Sequence, residues 1–173
     1  MSHVWRVGVV TVSDRCAKGE RKDEAGPLLK ERVKRMDGEV SAYTVVPDEV
    51  DAIERTLITL ADAEQCDLVI TTGGTGFALR DVTPEATKRV IRRNVPGIPE
   101  MMRMETRKKT IMSALSRSVA GIRGRTLIVN FPGNPQAIEE CFDVIEPLLP
   151  HALHLLRQNV DHDVSENATR TDG

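Results

Sequence analysis

The chain has 173 residues, with 24 Lys and Arg against 26 Asp and Glu, a formal charge of −2 and an isoelectric point near 6.1. That length suits one domain with its own core, needing no disulfide or metal staple. The near-neutral charge gives no reason to expect nucleic acid as a general partner, and 3% aromatics leave few platforms for stacking single-stranded bases.

Residues 4–12 are β-branched and end at Ser13-Asp14-Arg15, which predicts a buried first strand with a polar carboxyl end. The charged residues 16–23 read as a mobile loop. Leu28, Leu29, Val33 and Met36 give residues 24–36 the spacing of an amphipathic helix, closed by Gly38. Residues 40–46 alternate as a second strand, and a helix carrying Val50, Ile53, Leu57, Leu60 and Ala61 is expected to start at Asp48. Residues 68–71 form a third strand, followed by a helix over 84–94 with Ala86, Val90 and Ile91 inward. Pro96 and Pro99 break that pattern, and a helical stretch rich in Met and Arg runs to about Lys108. Its methionines read as adaptable core or subunit contact. Residues 118–122 and 126–130 are two short β-like runs. Asn134 and Pro135 open a last helix carrying Ile138, Cys141, Phe142, Ile145 and Leu149, with bends expected at Pro147 and Pro150.

Strands alternating with helices predict an α/β fold, a mostly parallel sheet with helices on both faces. Residues 1–160 are expected to form a single domain, and residues 161–173, polar and free of an apolar period, a disordered tail. Cys16, Cys66 and Cys141 are scattered and lack a CxxC spacing, which argues against disulfides or zinc and for reduced thiols in the cytoplasm. No basic-then-apolar leader and no run of membrane-spanning length are seen, so a soluble protein without a membrane partner is expected.

The chemistry concentrates in residues 67–87, DLVITTGGTGFALRDVTPEAT. An apolar strand stops at Gly73-Gly74-Thr75-Gly76, where glycines permit positive φ and bring backbone N–H groups close to an anion. Thr83 suits a helix N-cap, Pro84 the first helical position and Glu85 the positive end of the dipole. The loop is neither a Walker A motif nor a dinucleotide fingerprint, since no Gly-Lys-Ser/Thr follows and no third glycine stands three residues after Gly76. Arg80-Asp81 directly behind the glycines lets a phosphate and a metal share the site. Ser13-Asp14, the Gly73 loop and Asn130-Phe131-Pro132-Gly133 all follow predicted strands, and ligands of such sheets sit at the strands' carboxyl ends. No histidine lies near a glycine loop, so no Ser-His or Cys-His mechanism has an obvious base.

TTGGTG followed by RDVTPEAT resembles the molybdopterin adenylyltransferases, the MogA-like enzymes of molybdenum cofactor synthesis, and the G domains of the plant and animal two-domain versions. Further matches are VVPDEV at 45–50, LSRSVAGIRGRTLIVNFPGNP at 115–135 and LPHALHLLR at 149–157. The resemblance implies a three-layer MogA/MoaB-like molybdopterin-binding fold and transfer of AMP from Mg-ATP to the terminal phosphate of molybdopterin, with release of pyrophosphate. By matched position it puts magnesium on Asp48 and Asp81, and the same match implies that both are catalytic. Gly73, Gly74, Thr75 and Gly76 would cradle nucleotide phosphates. Ser13 and Asp14 match the family's first-strand pair, and Ser113, Ser116 and Arg117 its serine-rich pterin and nucleotide pocket. Asn130, Pro132 and Gly133 would shape the pocket wall.

Several of these residues also have a plain structural reading: Asp48 as a helix cap, Ser113 and Ser116 as hydroxyls bonding their own loop; Arg80, Arg103, Arg107 and Arg123 could assist with phosphate but read first as surface charges. Ala78-Leu79 stand where plant and animal relatives tend to have Thr-Pro. The family's usual homotrimer is implied, as is a separate molybdenum insertase, because the fused insertion domain of plants and animals is missing. Two alternatives stand beside the transferase: a MoaB-like relative serving the tungsten cofactor, and a non-catalytic molybdopterin-binding scaffold. The intact RDVTPEAT favours the transferase.

Overall fold

The structure is a computed structural model and describes residues 3–169. Its strands are β1 (Trp5–Val12), β2 (Gly38–Val46), β3 (Leu68–Thr72), β4 (Arg93–Asn94), β5 (Ala120–Arg123) and β6 (Thr126–Phe131). They form one sheet in the order β2-β1-β3-β6-β5-β4. The first four in that order are mutually parallel, while β5 is antiparallel to β6 and β4 to β5. The helices are α1 (Asp14–Ala17), α2 (Ala25–Arg35), α3 (Val50–Ile58), α4 (Thr83–Val90), α5 (Gly97–Thr106), α6 (Pro135–Ile145) and α7 (Leu149–Thr169).

Strand side chains alternate between two faces, so the central strands are apolar on both and feed two cores. Val7, Val9, Leu68, Ile70, Leu127, Val129 and Phe131 pack on one face against Leu29, Val33, Met102, Phe142 and Leu153 of α2, α5, α6 and α7. Val10, Val12, Val69 and Ile128 pack on the other against Ile53, Leu57, Ala86 and Val90 of α3 and α4. The result is the expected three-layer α/β sandwich. Among the described residues no helix is long and apolar enough to cross a membrane.

Several boundaries differ from the sequence reading. The helix expected over 84–94 ends at Val90; Ile91 turns extended at φ −73°, ψ 146°, and the chain joins the sheet as β4. The N–H of Arg92 donates to the Ile122 carbonyl at 2.8 Å and that of Val95 to Ala120 at 2.9 Å, so cross-strand bonds replace helical ones. Thr83 is the first helical residue, and Val82 precedes it without a side-chain cap. Residues 14–17, which span the expected strand end and the start of the expected loop, form α1, with the Ser13 hydroxyl accepting from the Cys16 N–H at 3.2 Å. Pro147 does break the last helix, leaving a 3₁₀ turn at Glu146–Leu148 between α6 and α7. α7 continues as helix over 161–169, where the polar sequence predicts disorder; once a helix is nucleated each added residue gains a hydrogen bond, and no Pro or Gly interrupts it there. Residues 170–173 of the expected tail lie outside the described residues.

Two buried charges tie helices to this frame. Arg32 of α2, 6% exposed, meets Glu139, Asp143 and Glu146 at 2.5, 2.7 and 2.6 Å and stacks over the Phe142 ring. Asp67, 1% exposed at the start of β3, accepts from both Nε (2.8 Å) and Nη2 (2.6 Å) of Arg157 and from the Arg6 N–H (2.9 Å). Burial alone pushes the Asp67 carboxyl up, but Arg157 and the Arg6 N–H outweigh it and hold the group below its ordinary value. A depressed carboxylate contributes stability above its unfolded value, lost as pH falls through the folded one. Arg157→Met is therefore expected to lower stability at neutral pH by about 3 kcal/mol, by leaving a buried carboxylate without its partner. Urea unfolding at a series of pH values checks this, and the gap to wild type should narrow in acid.

Candidate active site

β3 runs into the glycine loop with Gly73 at φ 96° and Gly74 at φ 66°. Space as well as backbone angle demands glycine at both. A Cβ on Gly73 would stand 2.4 Å from the Val12 carbonyl oxygen, and one on Gly74 2.3 Å from Thr83 Oγ1 and 3.1 Å from Asp48 Oδ1. The Gly73 N–H donates to the Phe131 carbonyl at 3.2 Å, and a Cβ on Gly133 would lie 3.4 Å from Gly73 Cα. The ends of β1, β3 and β6 thus meet at one point, as their polar carboxyl ends predict. Thr83, freed from capping, donates its hydroxyl to the Gly73 carbonyl at 3.0 Å and pins the loop to α4.

Carboxylates crowd this point. The Asp14 N–H donates to Asp48 Oδ2 at 2.8 Å and the Asp48 N–H to Asp14 Oδ1 at 3.0 Å. Asp48 does not cap α3: the cap position is Glu49, with no side-chain bond, and the helix begins at Val50. Arg80 donates a two-pronged fork to Asp14, 2.9 Å on each oxygen. Its hydrogen bonds hold the Asp14 carboxyl below the ordinary value. Asp48 is shifted the other way, by burial first and then by the charges of Asp14 and Asp81, with the Asp14 N–H and Arg80 only partly opposing. Asp81 Oδ2 accepts from the Ala78 N–H at 3.0 Å and lies 2.9 Å from where a Gly76 Cβ would be.

Asp48 and Asp81 therefore flank the loop, and neither forms a salt bridge among the described residues. No group of three or more His, Cys, Asp or Glu suited to a metal occurs among the described residues. Two free carboxylates are too few for an all-protein calcium or zinc cage, but they fit magnesium, which keeps waters and takes one or two carboxylates together with phosphate oxygens.

Two cavities open on either side of the loop. A polar one of about 400 Å³ is lined by Ser13, Asp48, Gly73, Gly74, Asp81 and Gly133, together with residues of the 16–25 segment. A more apolar one of about 290 Å³ is lined by Thr75, Gly76, Met102, Met112, Leu115 and Pro132, with the hydroxyls of Ser113 and Ser116 at its wall. The sequence-derived set thus divides between two neighbouring cavities. Both serines also bond locally: Ser113 donates to the Arg103 carbonyl at 3.2 Å and Ser116 to Ser118 Oγ at 3.0 Å.

Three residues of that set line neither cavity. Asp14 touches the site through Asp48 and Arg80. Arg117 directs its guanidinium to the Gly76 and Asp81 carbonyls and to Glu85. Asn130 is fully buried and is not part of a pocket wall: its amide donates to Thr71 and Thr87 hydroxyls at 2.9 Å each, and its oxygen accepts from the Val119 N–H at 3.1 Å. A polar residue on the face of β6 opposite Phe131 needs those partners, because an unpaired buried amide is costly.

Sequence reasoning missed the part of the polar cavity contributed by residues 16–25. Arg21 and Lys22 line it, and Asp23 organises it. Asp23 Oδ1 accepts from the N–H groups of Ala25 and Gly26 at 3.1 Å, and Oδ2 accepts from Thr11 at 2.8 Å and from the Tyr43 hydroxyl. An Asp just ahead of an apolar helical period is a start signal that could have marked this segment as ordered.

A glycine loop and paired carboxylates at the carboxyl edge of a parallel sheet define an α/β protein built to take a phosphorylated ligand. Residues 8–151 match the family described as "Probable molybdopterin binding domain", and the chain belongs to that family. It is 44% identical over 155 residues to the molybdopterin adenylyltransferase of Helicobacter pylori strain J99, covering 88% of each chain. Among solved structures it is similar to the molybdopterin biosynthesis enzyme MoaB of Thermus thermophilus, with 49% identity and a TM-score of 0.84 over 88% of this chain and 96% of that one. It is also similar to the tungsten cofactor synthesizing protein MoaB of Pyrococcus furiosus, at 34% identity and a TM-score of 0.79 over 91% and 99%.

The raised Asp48 carboxyl has a consequence for stability. A carboxylate whose folded value is raised disfavours the fold once ionised, so stability is lost as pH rises through that raised value. Asp48→Asn keeps an oxygen for the Asp14 N–H and removes the charge. It is expected to melt at a higher temperature than wild type near neutral pH and at an equal temperature in acid, as scanning calorimetry across the carboxylate range would show.

Proposed function

We propose that the protein is a molybdopterin adenylyltransferase of molybdenum cofactor biosynthesis, with residues 1–160 acting as a single molybdopterin-binding domain. The observation that carries this reading is the pair Asp48 and Asp81, neither in an ion pair with Lys or Arg among the described residues, which line one polar cavity beside a glycine loop that opens toward two adjacent cavities. Two anionic substrates must be brought together there, and the difficulty is electrostatic alignment rather than proton abstraction.

The terminal phosphate of molybdopterin needs no base, since a phosphate monoester with a second pKa of about 6 is already largely dianionic at neutral pH. One of its oxygens attacks the α-phosphorus of ATP. A new P–O–P bond forms, the bond from the α-phosphorus to the bridging oxygen breaks, and that oxygen leaves with pyrophosphate. Asp48 and Asp81 would hold magnesium, which when bound supplies charge neutralisation for the phosphates. The N–H groups of Gly74, Thr75 and Gly76 hold phosphate oxygens, with Ser13 beside them; the Gly73 N–H is taken by the Phe131 carbonyl, and Gly73 serves the loop through its positive φ. Asp14 keeps Arg80 poised at the rim. The flat pterin suits the apolar cavity, whose Met102 and Met112 offer polarizable surface and whose Ser113 and Ser116 offer hydroxyls. Pro132 and Gly133 form the wall between the cavities. A cytoplasmic setting, a homotrimer and a separate insertase belong to the same reading.

The role named for the Pyrococcus furiosus neighbour favours a second reading in which the product is destined for tungsten. The adenylyl transfer is the same in both readings, because the inserted metal takes no part in the bonds that form and break.

Pyrophosphate release from ATP and magnesium, with and without molybdopterin, tests the proposal. Release that depends on molybdopterin is expected. Tight molybdopterin binding without release would instead indicate a scaffold. Asp81→Asn is expected to lower turnover by at least ~100-fold while molybdopterin binding, followed by fluorescence, stays within about threefold of wild type. Loss of both together would contradict the separation of roles.

A further inference from the structure

Arg117 lines neither cavity, yet it holds both the glycine loop and the segment that follows it. Its backbone N–H donates to the Thr75 carbonyl at 2.9 Å, its Nε to the Gly76 carbonyl at 2.8 Å and its Nη2 to the Asp81 carbonyl at 2.7 Å. Nη1 pairs with Glu85 in the first turn of α4. One side chain therefore grips both ends of the 76–81 excursion and anchors them to a helix.

Little else restrains that excursion. Phe77 is 70% and Leu79 100% exposed, so neither packs the loop onto the core. The two bonds between Asp81 and Ala78 close a turn within the loop and do not fix its position on the protein. Arg80 reaches Asp14, but through an exposed side chain whose ion pair is weakened by solvent. Arg117 is itself held in place from behind: Arg103 donates to the carbonyls of Ser116 at 3.3 Å and Ser118 at 3.1 Å, on either side of it.

We propose that Arg117, braced by Glu85, is a positioning residue that sets the place of Asp81 against the glycine loop and thereby the strength of the metal–nucleotide site. The proposal rests on the reading of Asp81 as a metal-holding carboxylate. Only a guanidinium can do this. It is planar, carries five donors and is never deprotonated, so it satisfies two carbonyls and a carboxylate at once; a lysine ammonium is a point charge that must choose among them. Because two of the partners are backbone carbonyls, substitution reaches the strut's direct contacts through Arg117 and Glu85.

The test compares wild type with Arg117→Met, Arg117→Lys and Glu85→Gln, each shown to be folded by circular dichroism. Binding of Mn²⁺ in the presence of α,β-methylene ATP is followed by electron paramagnetic resonance, alongside pyrophosphate release. Residues that hold a metal ligand in place typically change affinity or activity by roughly 10–100-fold when altered, and a loss of Mn²⁺ affinity in that range is expected for Arg117→Met. Arg117→Lys should recover only part of the loss, and Glu85→Gln, which keeps an acceptor, should show a smaller one. KM for molybdopterin should stay within about twofold while kcat falls, the pattern of an interaction absent from substrate binding. Mn²⁺ affinity equal to wild type in folded Arg117→Met would overturn the proposal. Should that variant not fold, an unchanged Mn²⁺ affinity in folded Arg117→Lys would do the same. A wild-type protein that binds Mn²⁺ with the nucleotide but releases no pyrophosphate would sink the transferase reading and leave the strut standing.

Discussion

The contact on which the site depends is the approach of Gly73 to the end of β1. No side chain fits there, because the Val12 carbonyl oxygen occupies the space of a Cβ, and the positive φ of Gly73 turns the chain away from the sheet just where β6 arrives on its other side. Three strand ends are thereby drawn to one point, with Gly133 against Gly73 and the Phe131 carbonyl accepting the Gly73 N–H. The two cores beneath hold β1, β3 and β6 in parallel register, so the convergence is built into the sheet rather than into the loops.

What gathers there is unfavourable without a ligand. Arg80 forks onto Asp14, Arg21 and Lys22 line the cavity that Asp48 and Asp81 share, and the Asp48 carboxyl is pushed up, by burial first and then by the charges of Asp14 and Asp81. Elsewhere buried charge is matched: Asp67 has Arg157, and Arg32 has three carboxylates. The contrast separates charges matched within the fold from Asp48 and Asp81, which form no salt bridge among the described residues. Natural sites of this kind give up stability in the free protein for affinity in the complex.

Much of this is legible in the residues. The β-branched runs, the glycines and the polar carboxyl ends of the strands give the sheet, the loop and the convergence, because each rests on local pattern. The α/β class and the family resemblance hold. Long-range competition is not legible: Ile91 leaves the helix because β5 offers cross-strand bonds, and Thr83 leaves its capping role for the Gly73 carbonyl. Asn130 reads as pocket wall because it follows a strand, whereas its partners Thr71 and Thr87 come from distant segments no spacing reveals. Asp48 is ambiguous in sequence for the same reason; the residue that decides against a cap is Asp14, at the end of another strand. The division into a polar and an apolar cavity also depends on tertiary packing, since Ser113 and Ser116 lie on one side of the loop and Ser13 on the other.

The most direct measurement is the location of a bound divalent ion by paramagnetic broadening. Amide resonances of the ¹⁵N-labelled protein would be recorded with α,β-methylene ATP while Mn²⁺ is added in small increments. The signals of Asp48, Gly74, Gly76 and Asp81 are expected to broaden first, and those of Leu68 and Leu127, at the opposite ends of β3 and β6, later. Broadening that begins at other acidic residues of the surface, or that leaves the glycine loop sharp, would contradict a metal–nucleotide site between Asp48 and Asp81.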